Sequence, residues 1–299
     1  MKRIYMTDSL TFSKFSVGFW RLMDWGMTTE ELDSFVNQLF ELGITTFDHA
    51  DIYGGYKCEE EFGKIIKRNP SIREKMEIVT KCGIKLVNPN RPENTFHCYD
   101  TTEKYIINSA EQSLKNFHTE YIDVLLIHRV DFLMNADSVA KAFNKLREEG
   151  KVLHFGVSNF KRPQLELLQS RLDFPLVTDQ VELNLLNLTH IDNGDFDYFQ
   201  KERISPMIWS PLAGGRIFNE DSDQCNRIRY VLGEISAETG YSFDQIALAW
   251  LLKLPLNLNI VLGSGKIERI KSALGALEFS LTNEQWYRLW TASKGYEVP

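Results

Sequence analysis

Eight short apolar runs, each separated from the next by a stripe of helical periodicity, constrain this chain more than any other feature. The predicted strands cover residues 16–20, 45–48, 77–81, 124–128, 152–157, 177–182, 207–210 and 259–262. Most are rich in Val and Ile without polar alternation, the pattern of strands covered on both faces. Between them, Leu32, Phe35, Val36 and Leu39 follow a Thr28-x-x-Glu31 capping box. Ile107, Ala110, Leu114 and Phe117 recur at helical spacing, as do Val139, Phe143 and Leu146, and Ile267, Ile270, Leu274 and Leu277. Gly43 and Gly150 follow helices, where a left-handed cap suits glycine. Repeated β-α units build a parallel sheet, and eight of them predict a closed (β/α)8 TIM barrel. The alternative, an open doubly wound sheet, usually carries GxGxxG after its first strand. Here Gly263-Ser264-Gly265 opens a late helix, with Glu268 where the third glycine would stand.

No linker or low-complexity stretch divides residues 1–299, so one domain is expected. Residues before Ser16 are expected to form a hairpin that closes the bottom of the barrel. Segments near 224–239 and 283–292 read as helices additional to the eightfold pattern. The formal net charge of −7 and the absence of a Lys/Arg run argue against a nucleic-acid partner. No apolar stretch is long enough to span a bilayer, and residues 1–8 have no signal-peptide core. Cys58, Cys82, Cys98 and Cys225 form no CxxC pair and read as reduced thiols, which predicts a cytoplasmic protein. Nothing points to a protein partner.

Three consecutive predicted strands end on ionisable residues: Asp48, Lys81 and His128, with Tyr53 just beyond the first. The C-terminal ends of barrel strands open into the active-site mouth. Singly, each residue has a structural explanation: a cap, a packing ring, a snorkelling lysine, a satisfied histidine. Three adjacent strands delivering such groups at one level are hard to explain that way. A phenol with a pKa of about 10 becomes a better acid beside an ammonium. Asp48 keeps Lys81 charged, and a neutral His128 orients a carbonyl by hydrogen bonding. The set delivers a proton to oxygen but supplies no hydride, so reduction requires a cofactor. Strand alternation separates Asp48 from His49, and with no HxH or HExxH elsewhere no metal site is expected. Cys82 is expected to face away from Lys81, into packing.

These residues resemble the tetrad of the aldo-keto reductase family, and the resemblance, of the bacterial oxidoreductase type, extends over essentially the whole chain. It implies NADPH-dependent reduction of aldehydes or ketones to alcohols, with Tyr53 as general acid. It implies that Ser158 and Asn159, in Gly156-Val157-Ser158-Asn159-Phe160, hold the nicotinamide carboxamide together with Gln180. Trp209 then stacks on the nicotinamide, and Ser210 and Leu212 follow the pyrophosphate. Ser264, Lys266 and Arg269 are expected at a 2′-phosphate, favouring NADPH over NADH. The chain departs from the family at Gly263, where a lysine is common, and at Ala273 and Ser272. Trp20, Trp25, Phe96 and Tyr99 are candidates for an apolar substrate wall. Only seven residues follow Ala292, so an open, tolerant mouth is expected. Two other readings stay open: an NADPH-binding redox-sensing or regulatory protein with little turnover, and a Schiff-base aldolase using Lys81 as nucleophile.

Overall fold

The computed structural model describes residues 3–299. Eight parallel strands close a barrel: β1 (Phe15–Gly18), β2 (Thr46–Asp48), β3 (Glu77–Cys82), β4 (Ile122–Ile127), β5 (Val152–Ser158), β6 (Leu176–Glu182), β7 (Met207–Trp209) and β8 (Asn259–Leu262). Each pairs with its sequence neighbours, and β8 closes on β1 through Ile260 opposite Phe15. This is the predicted (β/α)8 barrel, with strand limits shifted by one or two residues.

The helices between strands form the outer ring. They include α1 (Thr29–Glu41), α2 (Cys58–Arg68), α3 (Glu103–Phe117), α4 (Ala136–Glu148), α5 (Arg162–Gln169) and α6 (Asp195–Glu202). The capping box predicted for α1 forms, with Thr28 and Glu31 each accepting from the other's backbone N–H. Beyond β7 run α7 (Asp223–Thr239) and α8 (Phe243–Leu252), and beyond β8 run α9 (Ile267–Leu274) and α10 (Asn283–Lys294). The two additional helices predicted from periodicity are α7 and α10. They are joined by Arg288 to Glu234 and Glu238, while Trp250 of α8 stacks on Trp286 of α10 at 5.0 Å. Among the described residues, no helix is long and apolar enough to cross a membrane.

The expected N-terminal hairpin is present: Arg3–Tyr5 pairs antiparallel with Thr11–Ser13. Ile4, Met6, Leu10 and Phe12 pack against Val79, Val124, Leu126, Val177, Met207 and Val261, inward side chains of five strands. The hairpin therefore plugs the barrel bottom with apolar side chains.

Candidate active site

Alternation along β2 and β3 sorts the polar residues. Asp48 points inward, whereas His49 is buried outside the barrel wall, stacked 4.8 Å from Phe19 and edge-on to Phe62 and Phe117. Cys82 likewise joins the outer core, as expected. Lys81 turns inward and is fully buried. Its Nζ donates to Asp48 Oδ1 at 2.8 Å, to the His49 carbonyl at 2.7 Å and to Tyr53 Oη at 3.1 Å. Because Tyr53 Oη accepts from Lys81, its own proton remains free to be donated. His128 follows β4 and is held by its backbone N–H on Cys82 O at 2.8 Å; its ring lies 5.8 Å from that of Tyr53.

Tyr53 reaches this position because the chain turns sharply after it. Gly54 and Gly55 have φ values of 56° and 64°, in the left-handed region. A Cβ on Gly54 would also meet Met23 Cγ at 2.5 Å and Cys58 Sγ at 2.6 Å. The long loop after β3 braces the turn: Asn90 Nδ2 donates to Gly55 O, and Tyr56 Oη accepts from Leu86 N.

The electrostatics differ in one respect from the sequence expectation. Burial dominates at Tyr53 and raises its pKa; the nearby Lys81 charge opposes this without reversing it. Tyr53 is therefore a neutral phenol, the proton-bearing form a general acid requires. At Lys81, burial favours the neutral amine. The Asp48 carboxylate and the hydrogen bonds to Asp48 and Tyr53 outweigh it, so the ammonium persists. Burial, reinforced by Lys81 and Arg129, holds His128 well below the ordinary histidine value. Its imidazole is neutral, and its Nδ1 has no partner among the described residues.

A cleft of about 810 Å³ runs from this cluster across the mouth to the start of α9. Asp48, Tyr53, His128, Ser158, Asn159, Gln180, Trp209, Ser210, Leu212, Ser264, Arg269 and Trp20 all line it. Gln180 Nε2 donates to Asp48 Oδ1 at 2.7 Å, tying the proton-relay cluster to the β5–β6 wall. The Gln180 carbonyl receives both Asn159 N–H and Ser158 Oγ–H. Asn159 adopts φ 60° and accepts from Trp209 Nε1 at 3.0 Å, which fixes the indole. Ser210, at φ 53°, is held by Asn184 Nδ2 on its carbonyl.

Five predicted residues do not line the cleft: Lys81, buried beneath Asp48 and Tyr53, and four that lie elsewhere. Lys266 is exposed at the start of α9, its backbone N–H on Ser264 Oγ. Trp25 packs beneath Gly265, where a Cβ would meet its ring at 2.5 Å, and against Phe19 and Phe35. Tyr99 sits in a short antiparallel pair with Ile84, and Phe96 projects outward, 75% exposed. Sequence reasoning missed Arg21, Ile52, Ile84, Arg129, Phe218 and Asn219, which do line the cleft. Arg129 had a usable signal: it directly follows His128 at a strand end. Its guanidinium lies 5.7 Å from the Trp209 ring centroid.

Comparison with known proteins agrees with this geometry. Residues 14–293 match the model of the Aldo/keto reductase family. The chain is 47% identical over 300 residues to the uncharacterized oxidoreductase YcsN of Bacillus subtilis, covering 100% of both chains. It is 49% identical to the oxidoreductase YdhF of Escherichia coli K12, over 96% of each. It is 40% identical to a 6-dehydroglucose reductase of Agrobacterium fabrum, over 100% of each. The thermostable aldo-keto reductase Tm1743, solved with the inhibitor epalrestat, superposes with a TM-score of 0.80 at 26% identity, covering 98% of this chain and 100% of that one. The chain belongs to the aldo/keto reductase family, and it is an NAD(P)H-dependent oxidoreductase acting on carbonyl compounds.

Proposed function

We propose that the protein reduces small aldehydes or ketones to alcohols using NADPH, acting as one catalytic domain in the cytoplasm. The observation that carries this reading is the buried Lys81 ammonium bridging Asp48 and Tyr53 at the floor of the cleft, with His128 beside them. The cleft suits a dinucleotide. Its volume falls within the roughly 300–1,000 Å³ typical of ligand sites, and it runs unbroken from Tyr53 to Ser264 and Arg269. When bound, a nicotinamide cofactor supplies the hydride, which no side chain here can.

In this reading Ser158, Asn159 and Gln180 hold the carboxamide, Trp209 supports the ring, and Ser210 and Leu212 follow the pyrophosphate. Ser264 and Arg269 meet the 2′-phosphate, with exposed Lys266 adding charge at longer range. His128 orients the substrate oxygen, and Tyr53 donates its hydroxyl proton to that oxygen. Lys81, kept charged by Asp48, stabilises the phenolate left behind. Trp20, 63% exposed at the mouth, is the substrate-facing aromatic. The 6-dehydroglucose reductase name of the Agrobacterium relative makes oxidised sugars the first substrates to test.

Titration with NADPH and NADH, followed by tryptophan fluorescence, tests the cofactor assignment. Tight NADPH and weak NADH binding is expected, followed by carbonyl-dependent oxidation of NADPH. Binding of neither would overturn the reading. The ion pair with Asp48 speaks against Lys81 as a Schiff-base nucleophile, so borohydride with a carbonyl substrate is expected to trap no adduct.

A further inference from the structure

We infer that Arg129 is a substrate anchor that selects carbonyl compounds carrying an anionic oxyacid group, a carboxylate or a phosphate; the inference rests on the carbonyl-reductase reading above. Arg129 directly follows His128 and lines the same cleft as Asp48, Tyr53 and Trp209. Its guanidinium carbon lies 5.7 Å from the Trp209 ring centroid. Its charge acts on both proton-handling groups, opposing the rise at Tyr53 and deepening the fall at His128. The arm also starts from fixed backbone. On one side His128 N–H donates to Cys82 O at 2.8 Å. On the other, buried Asp131 accepts from Thr101 Oγ1 at 2.7 Å and from Leu133 N–H at 2.8 Å.

A half-buried cation beside the reacting groups calls for a counter-charge, and the protein supplies none. Both carboxylates that line the cleft are taken. Asp48 accepts from Lys81 and Gln180, and Asp244 accepts from the hydroxyls of Ser242 and Ser272. Among the described residues the Arg129 guanidinium has no ion pair and faces the Trp209 indole instead. The other two cleft arginines stand elsewhere: Arg21 against Trp20 and near Gly214, and Arg269 in the first turn of α9. Arg129 is therefore the guanidinium next to His128. It stays charged at every working pH and presents a planar fork of donors. A carboxylate or phosphate meets that fork with two parallel hydrogen bonds, strengthened where water is partly excluded. A substrate gripped by its charged end presents its carbonyl to Tyr53 and His128 with less freedom to lose. The anchor narrows the substrate class from oxidised sugars in general to those bearing an acidic group.

Matched substrate pairs test this at saturating NADPH: erythrose 4-phosphate against erythrose, and succinic semialdehyde against pentanal. In the wild type, kcat/KM is expected to favour the anionic member of at least one pair by about ten- to hundredfold. The pair that shows the preference identifies the group as phosphate or carboxylate. Arg129→Gln should remove most of that ratio, chiefly through KM, and Arg129→Lys should keep part of it. Removing the charge also alters Tyr53 and His128, but this acts on both members of a pair and cancels in the ratio. No anionic preference in either pair would overturn the anchor. An equal fall for both members in Arg129→Gln would overturn it by assigning Arg129 to the electrostatics of Tyr53 and His128. A loss of NADPH affinity in fluorescence titration with the ratio intact would overturn it by assigning Arg129 to the cofactor. If the wild type bound no cofactor and reduced no carbonyl, the functional reading itself would fail, a result distinct from all of these.

Discussion

The two ends of the cleft are built on opposite principles. At the chemical end, Asp48, Lys81, Tyr53 and Gln180 are joined by hydrogen bonds of 2.7–3.1 Å, and Lys81 is fully buried. At the α9 end, Arg269 and Lys266 are exposed, and Ser264 is half-buried. Burial amplifies each interaction at the first end, and solvent screens it at the second. The first end therefore has little tolerance for substitution, while the second is free to adjust which cofactor is preferred.

The predictions below test that contrast, beginning with the largest effect. Tyr53→Phe removes one oxygen from the buried cluster and is expected to lower kcat by about 10²–10⁴, with NADPH affinity nearly unchanged by titration. Activity close to wild type would remove Tyr53 from its role. Lys81→Met leaves the buried Asp48 without its charged partner and should cost about 3–5 kcal/mol of stability, read from urea unfolding. Adding Asp48→Asn to that variant should restore much of the stability but none of the turnover.

A third prediction concerns Asp51, on the segment leading to Tyr53. Its Oδ2 accepts from Ser109, while Oδ1 has no partner among the described residues. Burial first, and the charge of Glu59 second, push its carboxyl up to about 8 from an ordinary 3.8. Because the folded value is raised, the native state binds the extra proton between those limits. Its contribution to stability is complete below pH 3.8 and is lost as pH rises through about 8. Thermal unfolding of Asp51→Asn should accordingly lack that decline, gaining on wild type most at pH 8 and least at pH 4. Parallel pH profiles for the two proteins would refute the assignment.

The exposed end should respond weakly and selectively. Arg269→Gln is expected to weaken NADPH by about tenfold and leave NADH unchanged. Lys266→Gln, outside the cleft, should change either affinity by no more than about twofold. Equal losses for both cofactors in Arg269→Gln would blur the contrast between the two ends.

The same difference in burial explains what the sequence made legible. Apolar runs mark barrel strands directly, so strand order, the hairpin and helices α7 and α10 could be anticipated. Asp48, Lys81 and His128 stood out because each interrupts or ends such a run. Irregular segments carry no period. Trp20 precedes and Trp25 ends the short helical turn Leu22–Trp25, and only the fold shows that the first faces the cleft while the second goes under Gly265. Phe96 was misleading because Asn90 and Asn94 tie its loop back onto the Gly55–Tyr56 turn, leaving the ring outside. Arg21 escaped notice because an arginine in a short loop has no pattern around it. The rise in the Tyr53 pKa depends on how completely the ring is enclosed, which proximity to Lys81 in sequence does not reveal.

The hairpin plug has a consequence for how the chain comes to be folded. Ile4, Met6, Leu10 and Phe12 are made well before Val261, one of the side chains they pack against, which belongs to the last barrel strand. Until β8 has been made, these apolar side chains lack their complete surroundings. Closure of β8 on β1 is likewise among the longest-range pairings in the molecule. Loop-closure entropy makes such contacts slow to form. The nascent barrel thus carries a sticky, incompletely covered hairpin until its last strand is made, an opening for chaperones and for aggregation that the finished barrel no longer offers.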